Sequence, residues 1–166
     1  MCSGKTTLGK ALAARAGLDF VDLDQFIEER QRMSVSDIFA TWGEARFRQL
    51  ERDALVELAG RHDVVVACGG GTPCFFDNID VMKRSGLTVW LRPSLETLAR
   101  RLRQGRSTRP LIAAMADDEI SRFAEESMAA REPFYSRADA IFCSDLLEST
   151  DQIDRSVELF INKFIK

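Results

Sequence analysis

Short apolar runs that lack polar alternation are the feature that most constrains how this chain can fold. Residues 64–68 (VVVAC) are continuously apolar, which is typical of a parallel strand buried on both faces. Residues 87–91 predict a second such strand, and short strands are also predicted at residues 18–22 and 140–143. Helical patterns lie before, between and after these strands. They include a short one at residues 34–39, a long one over residues 44–59, one over residues 117–131, and a last one that Thr150 would cap and that runs to the C-terminus. Strands that alternate with helices predict an α/β fold, in which helices flank a parallel sheet on both faces.

Composition limits the class of protein to which the chain can belong. Its 166 residues are enough for one domain with a sizeable core, and we predict a single domain over residues 1–166. Hydrophobic residues make up 45% and charged residues 30%, which is typical of globular proteins rather than disordered ones. The net charge of −3 weighs against a dedicated nucleic-acid binder. No apolar run approaches the roughly 20 residues that span a bilayer, and no secretory signal pattern is present.

The cysteines and the single histidine argue against a disulfide framework or a structural zinc site. The residues concerned are Cys2, Cys68, Cys74, Cys143 and His62. No two cysteines form a CxxC pair, and one histidine supplies too few ligands for zinc. Reduced thiols are the simplest interpretation, and we therefore expect a cytoplasmic protein. We also expect a monomer that binds neither nucleic acid nor a membrane.

A Gly-Lys-Thr-Thr sequence predicts a phosphate-binding loop. Residues 4–7 match the end of the GxxxxGK[ST] pattern, in which the glycine lets backbone N–H groups turn toward phosphate oxygens. Lys5 would reach the β- and γ-phosphates, and the Thr6 hydroxyl would contact Mg²⁺. Alone, this tetrapeptide could be an ordinary turn, but a helical pattern follows it to Ala16. The predicted ATP-binding residues here are Cys2, Ser3, Gly4, Lys5, Thr6 and Thr7.

The beginning of this phosphate-binding pattern is incomplete. The first glycine should lie five residues before Gly4, and only three residues precede Gly4 in the chain. The strand that normally leads into such a loop is also missing from the sequence. Its loss would leave a slot in the sheet with unpaired backbone groups. We therefore expect a natural N-terminal segment of about ten residues before Met1.

Carboxylates and glycines follow two of the predicted strands. Asp22 ends the strand at residues 18–22 and Asp24 follows it by two residues, and the strand period of two predicts both carboxylates on the same side. One could support Mg²⁺ and the other could hold an attacking hydroxyl, although Asp24 could instead be a helix N-cap. The glycines at residues 69–71 directly follow the apolar run and would let the backbone approach a ligand closely. A flexible loop is the alternative interpretation.

Six motifs, in order and at similar spacing, resemble the shikimate kinase family. They are Gly4-Lys5-Thr6-Thr7, Asp22-x-Asp24, Gly43-Glu44 with Phe47-Arg48 and Glu51, Gly69-Gly70-Gly71, Arg109-Pro110-Leu111 and Arg131-x-Pro133-x-Tyr135. Each motif alone is weak, but six in register over nearly the whole chain are specific. The resemblance implies a three-layer P-loop kinase fold, with a substrate-binding region at about residues 24–51 and a lid at about residues 104–116. It also implies transfer of the γ-phosphoryl group of ATP to the 3-hydroxyl of shikimate, in aromatic amino acid biosynthesis.

The resemblance further implies which residues bind shikimate. These residues would be Asp24, Arg48, Gly69, Gly70, Gly71 and Arg131. Arg48 and Arg131 would hold the carboxylate, a task that suits the planar, permanently charged guanidinium group. Asp24 would hydrogen-bond the ring hydroxyls and orient or deprotonate the 3-hydroxyl.

Other residues are implied to act on ATP and Mg²⁺. Thr6 and Asp22 would hold Mg²⁺, and Arg109 would close over the phosphates. Arg103 would contact the adenine, with Arg101 as the alternative. The implied catalytic residues are Lys5, Asp24 and Arg109.

Cys2 departs from the family pattern, which usually has another loop glycine at this position. Because cysteine tolerates fewer backbone conformations than glycine, we expect the geometry of this loop to differ from that of the family.

Three competing functions stay open at the level of sequence. The chain could be another small P-loop kinase that acts on gluconate or a nucleoside monophosphate, or an inactive nucleotide-binding protein. It could also bind nucleic acid through its arginines at residues 100–109, although aromatic residues for base stacking are lacking there.

Overall fold

The structure, a computed structural model, describes residues 2–108 and 112–165. The strands are β1 (Asp19–Asp22), β2 (Val64–Ala67), β3 (Val89–Arg92) and β4 (Ala140–Cys143). The α-helices are α1 (Lys5–Ala16), α2 (Leu23–Gln31), α3 (Val35–Leu58), α4 (Asn78–Ser85), α5 (Leu95–Gln104), α6 (Asp117–Tyr135) and α7 (Thr150–Phe164). Short 3₁₀ helices span Thr72–Cys74 and Arg106–Thr108. Among the described residues, none of the helices combines the length and the apolar character that crossing a bilayer requires.

The strands form two parallel pairs. β1 pairs with β2, with Asp19 opposite Val64, and β3 pairs with β4, with Val89 opposite Ala140. Within the described residues no strand hydrogen bonds join the two pairs, and a cavity of about 420 Å³ lies between β2 and β3. The parallel order confirms the predicted α/β class. The prediction that β2 is buried on both faces is only partly right, because Ala67 is buried whereas the three valines before it are half-buried, and Val64 and Val66 line this cavity.

Helices cover both faces of the strands, as the three-layer prediction requires. Val66 of β2 packs in an apolar cluster with α2 and α3, which includes Ile27 and Phe47. Its neighbour Val65 packs in a second cluster with α1 and α7, which includes Leu12. Successive strand residues point to opposite faces of a sheet, so α2 and α3 lie on one side and α1 and α7 on the other. A third cluster joins α5 and α6.

Most element boundaries agree with the sequence analysis, and three differ. α3 is one assigned helix where two were predicted, and Gly43 (φ 76°, ψ 173°) forms a kink between its two parts. α6 continues past Arg131 to Tyr135, with Pro133 inside its last turn, where a proline removes only one helical hydrogen bond. α7 is capped by Ser149, whose side chain accepts from the backbone N–H of Gln152. The extension of α6 matters most, because it brings Tyr135 onto the face that carries Arg131.

Candidate active site

The N-terminus of α1 is built to receive an anion. Its N-cap, Gly4, has φ 86° and makes no side-chain capping bond, and a Cβ there would collide with the Leu147 side chain. The first turn of α1 holds Lys5 and no acidic residue, whereas every other α-helix in the described ranges has an acid in its first turn. Unbonded N–H groups, the positive end of the helix dipole and a lysine together favour a phosphate group.

The start of the loop adopts a conformation that is unusual for its residue. Cys2 has φ 49°, in the left-handed region, where a residue other than glycine is strained by its Cβ atom. The departure from glycine at this position therefore has a structural cost. The Cys2 carbonyl accepts a hydrogen bond from Arg101 Nη1 at 3.5 Å, which connects the loop to α5. Ser3 and Lys5 line the cavity beside β2.

Thr6 and Asp22, the predicted magnesium-binding residues, are in direct contact. The Thr6 hydroxyl donates to Asp22 Oδ2 at 2.9 Å. The other carboxylate oxygen of Asp22 accepts from the backbone N–H of Asp24 at 3.1 Å, so Asp22 is the N-cap of α2. Asp24 lies in the first turn of this helix. Our sequence-based reason for pairing the two aspartates was wrong, because a cap and a helical turn, rather than strand alternation, bring them together.

These two oxygen donors fit Mg²⁺ in chemical type. Hard cations of this kind prefer oxygen ligands, and Mg²⁺ usually keeps several waters and uses one or two protein ligands plus substrate phosphates. Within the described residues no group of three or more acidic, histidine or cysteine side chains could enclose a metal ion. Thr6 and Asp22 are thus the residues that could supply one or two protein oxygens to Mg²⁺.

Asp24 lies in an environment that favours its protonated form. Burial raises the pKa of Asp24, and the negative charges of Asp22 and Glu51 raise it further. The positive charge of Lys5 opposes part of this increase. A carboxylate whose pKa is raised is a better proton acceptor than an ordinary aspartate. The same interactions show that Lys5 and Glu51 lie close to Asp24.

The glycine loop, residues 69–71, is shaped by the side chains against it. A Cβ on Gly69 would lie 3.1 Å from Asp24 Oδ1 and from Glu51 Oε1. A Cβ on Gly71 would lie 2.8 Å from both terminal nitrogens of Arg48. The backbone of the loop therefore lies very close to charged groups. This closeness explains why Gly69 and Gly71 are glycines better than a need for flexibility does.

Arg48 is held in place by two carboxylates and an aromatic ring. Its Nη1 donates to Glu51 Oε2 at 2.8 Å, and its Nη2 donates to Glu44 Oε1 at 3.0 Å. Its guanidinium carbon lies 4.1 Å from the centroid of the Phe75 ring. Glu51 is only 1% exposed and also accepts from the Thr72 hydroxyl. These contacts fix the guanidinium plane beside the glycine loop.

Arg131 approaches the same place from α6. It lines the cavity together with Lys5, Gly69 and Gly70. Burial raises the pKa of the Cys74 thiol, and the positive charges of Arg131 and Arg48 both oppose that increase. Cys74 therefore lies within electrostatic reach of both arginines. The structure brings the two predicted carboxylate-binding arginines together around one loop.

The arginines proposed for the adenine are bound to protein atoms. Arg101 donates to the backbone carbonyls of Ser144 and Asp145 at 2.9 and 3.1 Å. Arg103 donates to the Ser121 hydroxyl at 2.6 Å, which connects α5 to α6. Arg109, predicted to be catalytic, lies outside the described residues, as do residues 110 and 111.

Sequence analysis missed two residues that shape the acceptor region. Thr72 is fully buried, and its hydroxyl bonds Glu51. Tyr135 was quoted only as part of a motif, yet its hydroxyl donates to the Gly70 carbonyl at 2.6 Å. In the sequence, the only indication of this role was that Thr72 is a polar residue directly after three glycines. For Tyr135, the four-residue spacing from Arg131 was the available signal, but the proline between them predicted that the helix ends earlier.

Comparisons with known proteins agree on one family. A sequence model described as shikimate kinase matches residues 1–162. The chain is 48% identical to a shikimate kinase of Phocaeicola vulgatus over 166 residues, which is 100% of this chain and 95% of that protein. It is 46% identical to a shikimate kinase of Bacteroides fragilis over 158 residues, 95% of this chain and 88% of that one.

Solved structures give the same result. The crystal structure of a shikimate kinase from Bacteroides thetaiotaomicron matches with a TM-score of 0.94 at 44% identity, covering 98% of this chain and 93% of that one. A shikimate kinase from Acinetobacter baumannii in complex with shikimate matches with a TM-score of 0.81 at 28% identity, covering 100% of this chain and 91% of that one. At these identities the likeness concerns more than the fold.

Proposed function

The chain belongs to the shikimate kinase family, and we propose that it transfers the γ-phosphoryl group of ATP to the 3-hydroxyl of shikimate. The products are shikimate 3-phosphate and ADP, and the reaction serves aromatic amino acid biosynthesis. One observation carries this assignment. Asp24 and Arg48 lie directly against the glycine loop, Lys5 lies within electrostatic reach of Asp24, and Arg131 and Arg48 both lie within electrostatic reach of Cys74, just after that loop.

The phosphate end would bind ATP through α1. The backbone N–H groups that follow Gly4 would bond the phosphate oxygens, with residues 2–7 surrounding them. Lys5 would neutralise the charge that spreads over the γ-phosphoryl oxygens in the transition state. Because phosphoryl transfer needs alignment and charge stabilisation rather than covalent help from the protein, this contact should act mainly on kcat.

Thr6 and Asp22 would hold Mg²⁺, which would supply positive charge to offset the negative charge of the phosphates. Their hydroxyl and carboxylate oxygens are 2.9 Å apart. The capping bond from Asp22 to the start of α2 orients the carboxylate, so the position of this residue is set independently of any ligand.

The acceptor end would hold shikimate between the two arginines. Arg48 and Arg131 would bind its carboxylate, and the backbone of residues 69–71 would approach its ring. Asp24 would orient the 3-hydroxyl and accept its proton, a role that suits a carboxylate whose pKa is raised. Holding both substrates in line can lower the barrier by about 7–11 kcal/mol.

The remaining expectations are also part of this proposal. Residues 104–116 would act as a lid that excludes water, and Arg109 would contribute its charge to the phosphates on closure. Arg103 would contact the adenine only after leaving Ser121. The whole chain would form one domain and act as a cytoplasmic monomer. Light scattering on the purified protein checks the monomer.

An acceptor screen tests the function. We would measure ADP release by the chain with shikimate, gluconate and several nucleoside monophosphates, each with ATP and Mg²⁺. We expect release only with shikimate, and we expect it to disappear when EDTA removes Mg²⁺. Turnover with gluconate or a monophosphate, but not with shikimate, would refute the proposal. ATP binding without turnover of any acceptor would indicate an inactive nucleotide-binding protein.

A further inference from the structure

Tyr135 makes a contact that the transfer reaction does not explain. Its hydroxyl donates to the backbone carbonyl of Gly70 at 2.6 Å. Its ring lies tilted on Trp90, with the centroids 5.5 Å apart. Burial raises the pKa of the Tyr135 hydroxyl, which therefore stays protonated and able to donate. The tyrosine thus connects the last turn of α6 to the middle of the glycine loop.

The same helix carries one half of the carboxylate-binding pair. Arg131 precedes Tyr135 by four residues, and side chains four apart lie on one face of a helix. The positive charge of Arg131 lowers the pKa of Tyr135, against the increase from burial, so the two side chains are neighbours. The bond to Gly70 therefore fixes the part of α6 from which Arg131 extends.

The other half of the pair lies against the next residue of the loop. The Arg48 guanidinium occupies the space that a Cβ on Gly71 would take. The loop is thus in contact with Arg48 at Gly71 and bonded at Gly70 to Tyr135, the neighbour of Arg131. Since glycines have the least intrinsic preference for one backbone conformation, the loop depends on outside contacts to hold its shape.

The carbonyl of Gly70 also accepts a second, weaker hydrogen bond. Its donor is the Cys74 thiol, at 3.9 Å, and thiols are weak donors. The tyrosine bond is short and comes from a partly buried group. It is the stronger of the two contacts and the one that links separate elements, because Cys74 belongs to the turn that follows the same loop.

We propose that Tyr135 is a positioning residue, whose bond to Gly70 sets the separation of Arg48 and Arg131 and so makes the site selective for carboxylate-bearing acceptors. It does not touch the reacting atoms. This inference rests on the proposed function, because it concerns the same two arginines that would bind the carboxylate of shikimate. It predicts that loss of the Tyr135 hydroxyl weakens binding of the acceptor and leaves binding of ATP unchanged.

Tyr135→Phe tests the proposal, because it removes only the hydroxyl and keeps the ring on Trp90. We expect KM for shikimate to rise roughly 5- to 10-fold, the usual effect of one lost hydrogen bond, with kcat within about twofold and KM for ATP unchanged. We also expect the variant to lose its preference for acceptors that carry a free carboxylate. The ratio of kcat/KM for shikimate to that for its methyl ester should fall toward one.

Two further variants separate positioning from general packing. Ser136→Ala removes a hydroxyl from the end of α6 that bonds the Pro133 carbonyl of its own helix, and it should leave KM for shikimate unchanged. In an Arg131→Ala background, Tyr135→Phe should change kcat/KM less than about twofold, because the pair is then already lost. Additive losses would contradict a role through Arg131.

The outcomes distinguish this inference from the proposed function. If the unaltered protein shows no shikimate-dependent ADP release, the proposed function fails. If it does, and Tyr135→Phe leaves KM and the ester ratio unchanged, only the inference is overturned. A parallel rise in KM for ATP would also overturn it, as would loss of cooperative thermal unfolding in Tyr135→Phe, since either result would show a packing role.

Discussion

The phosphate end and the acceptor end of the site are built in different ways. The phosphate end is a contiguous segment, residues 2–7, whose shape follows from the left-handed Gly4 and the start of α1. The acceptor end combines Asp24, Arg48 and Arg131, which come from three helices, with the glycine loop that follows β2. The first is held by local backbone geometry, whereas the second is held by side chains that bond each other across the fold.

The two ends also differ in charge. The first turn of α1 carries a lysine and no acid, which suits a polyanionic phosphate chain. At the acceptor end Glu44 and Glu51 both pair with Arg48, so that only a limited positive charge remains for a ligand with one carboxylate. Nucleotide affinity can therefore rest on a short motif, whereas acceptor selectivity needs a network. Substitutions at the two ends should have separable effects.

Lys5→Ala should have the largest effect. Removing a cation that stabilises the transferring phosphoryl group should lower kcat about 10³-fold, while KM for shikimate changes little. A coupled ADP-release assay measures both. Lys10→Ala, which removes an exposed lysine from the same helix, is the matched control and should keep full turnover. Near-normal kcat in Lys5→Ala would show that the phosphate end does not work as we describe.

Asp24→Asn should come next, with a fall in kcat of about 10²-fold through loss of the proton acceptor. The unaltered protein should gain activity with rising pH through a limb that lies above the ordinary aspartate range, because the pKa of Asp24 is raised. The substitution should remove this limb. Asp19→Asn, which changes an exposed aspartate on β1, should leave the pH profile intact.

The same substitution has a defined effect on stability. Because the folded state raises the pKa of Asp24, the ionised side chain costs stability above that pKa, and this cost disappears as the pH falls through it. Asp24→Asn should therefore unfold at a higher urea concentration than the unaltered protein at neutral pH, and the gain should vanish in acid. If the Asp24→Asn variant were less stable at neutral pH, that result would contradict the electrostatics of the acceptor end.

Arg131→Ala should affect shikimate alone. Loss of a charge-assisted pair should lower kcat/KM for shikimate roughly 30-fold, with KM for ATP unchanged. Arg122→Ala, which removes an exposed arginine from α6, is the control for loss of charge on this helix. If KM for ATP rose as much as KM for shikimate, the two ends of the site would not be independent.

Cys2→Gly should have the smallest effect. Relief of the left-handed strain, about 1 kcal/mol, is partly offset by the greater freedom of glycine in the unfolded chain, about 0.5 kcal/mol. The net gain in unfolding free energy should be about 0.5 kcal/mol, visible as a higher urea midpoint at equal slope. Cys2→Ala, which keeps the Cβ, should show no gain. Cys2 also packs against the apolar cluster of α5 and α6, and a destabilised glycine variant would mean that the loss of this packing outweighs the relief of strain.

The success of the sequence-based predictions depended on how local the cause was. α1 begins after Gly4 and ends before Gly17 as predicted, because glycines mark both ends within one turn. The prediction that helices cover both faces of the strands was also correct. The end of α6 was predicted too early, because Pro133 is a helix breaker by itself and the packing of Tyr135 on Trp90 lies outside any sequence window.

The amino-acid sequence alone was enough to predict the α/β class and the family, both of which the structure and the comparisons confirm, and to locate the segment that we propose binds phosphate, since each depends on residues close together or on motifs in a fixed order. The folded chain was needed to learn that Asp22 caps α2 while bonding Thr6, and that Tyr135 reaches Gly70. Most of these contacts join residues far apart in the chain, and the distances between such residues are set by how the helices pack on the strands. No local pattern encodes that packing, and it is this packing that shapes the acceptor end.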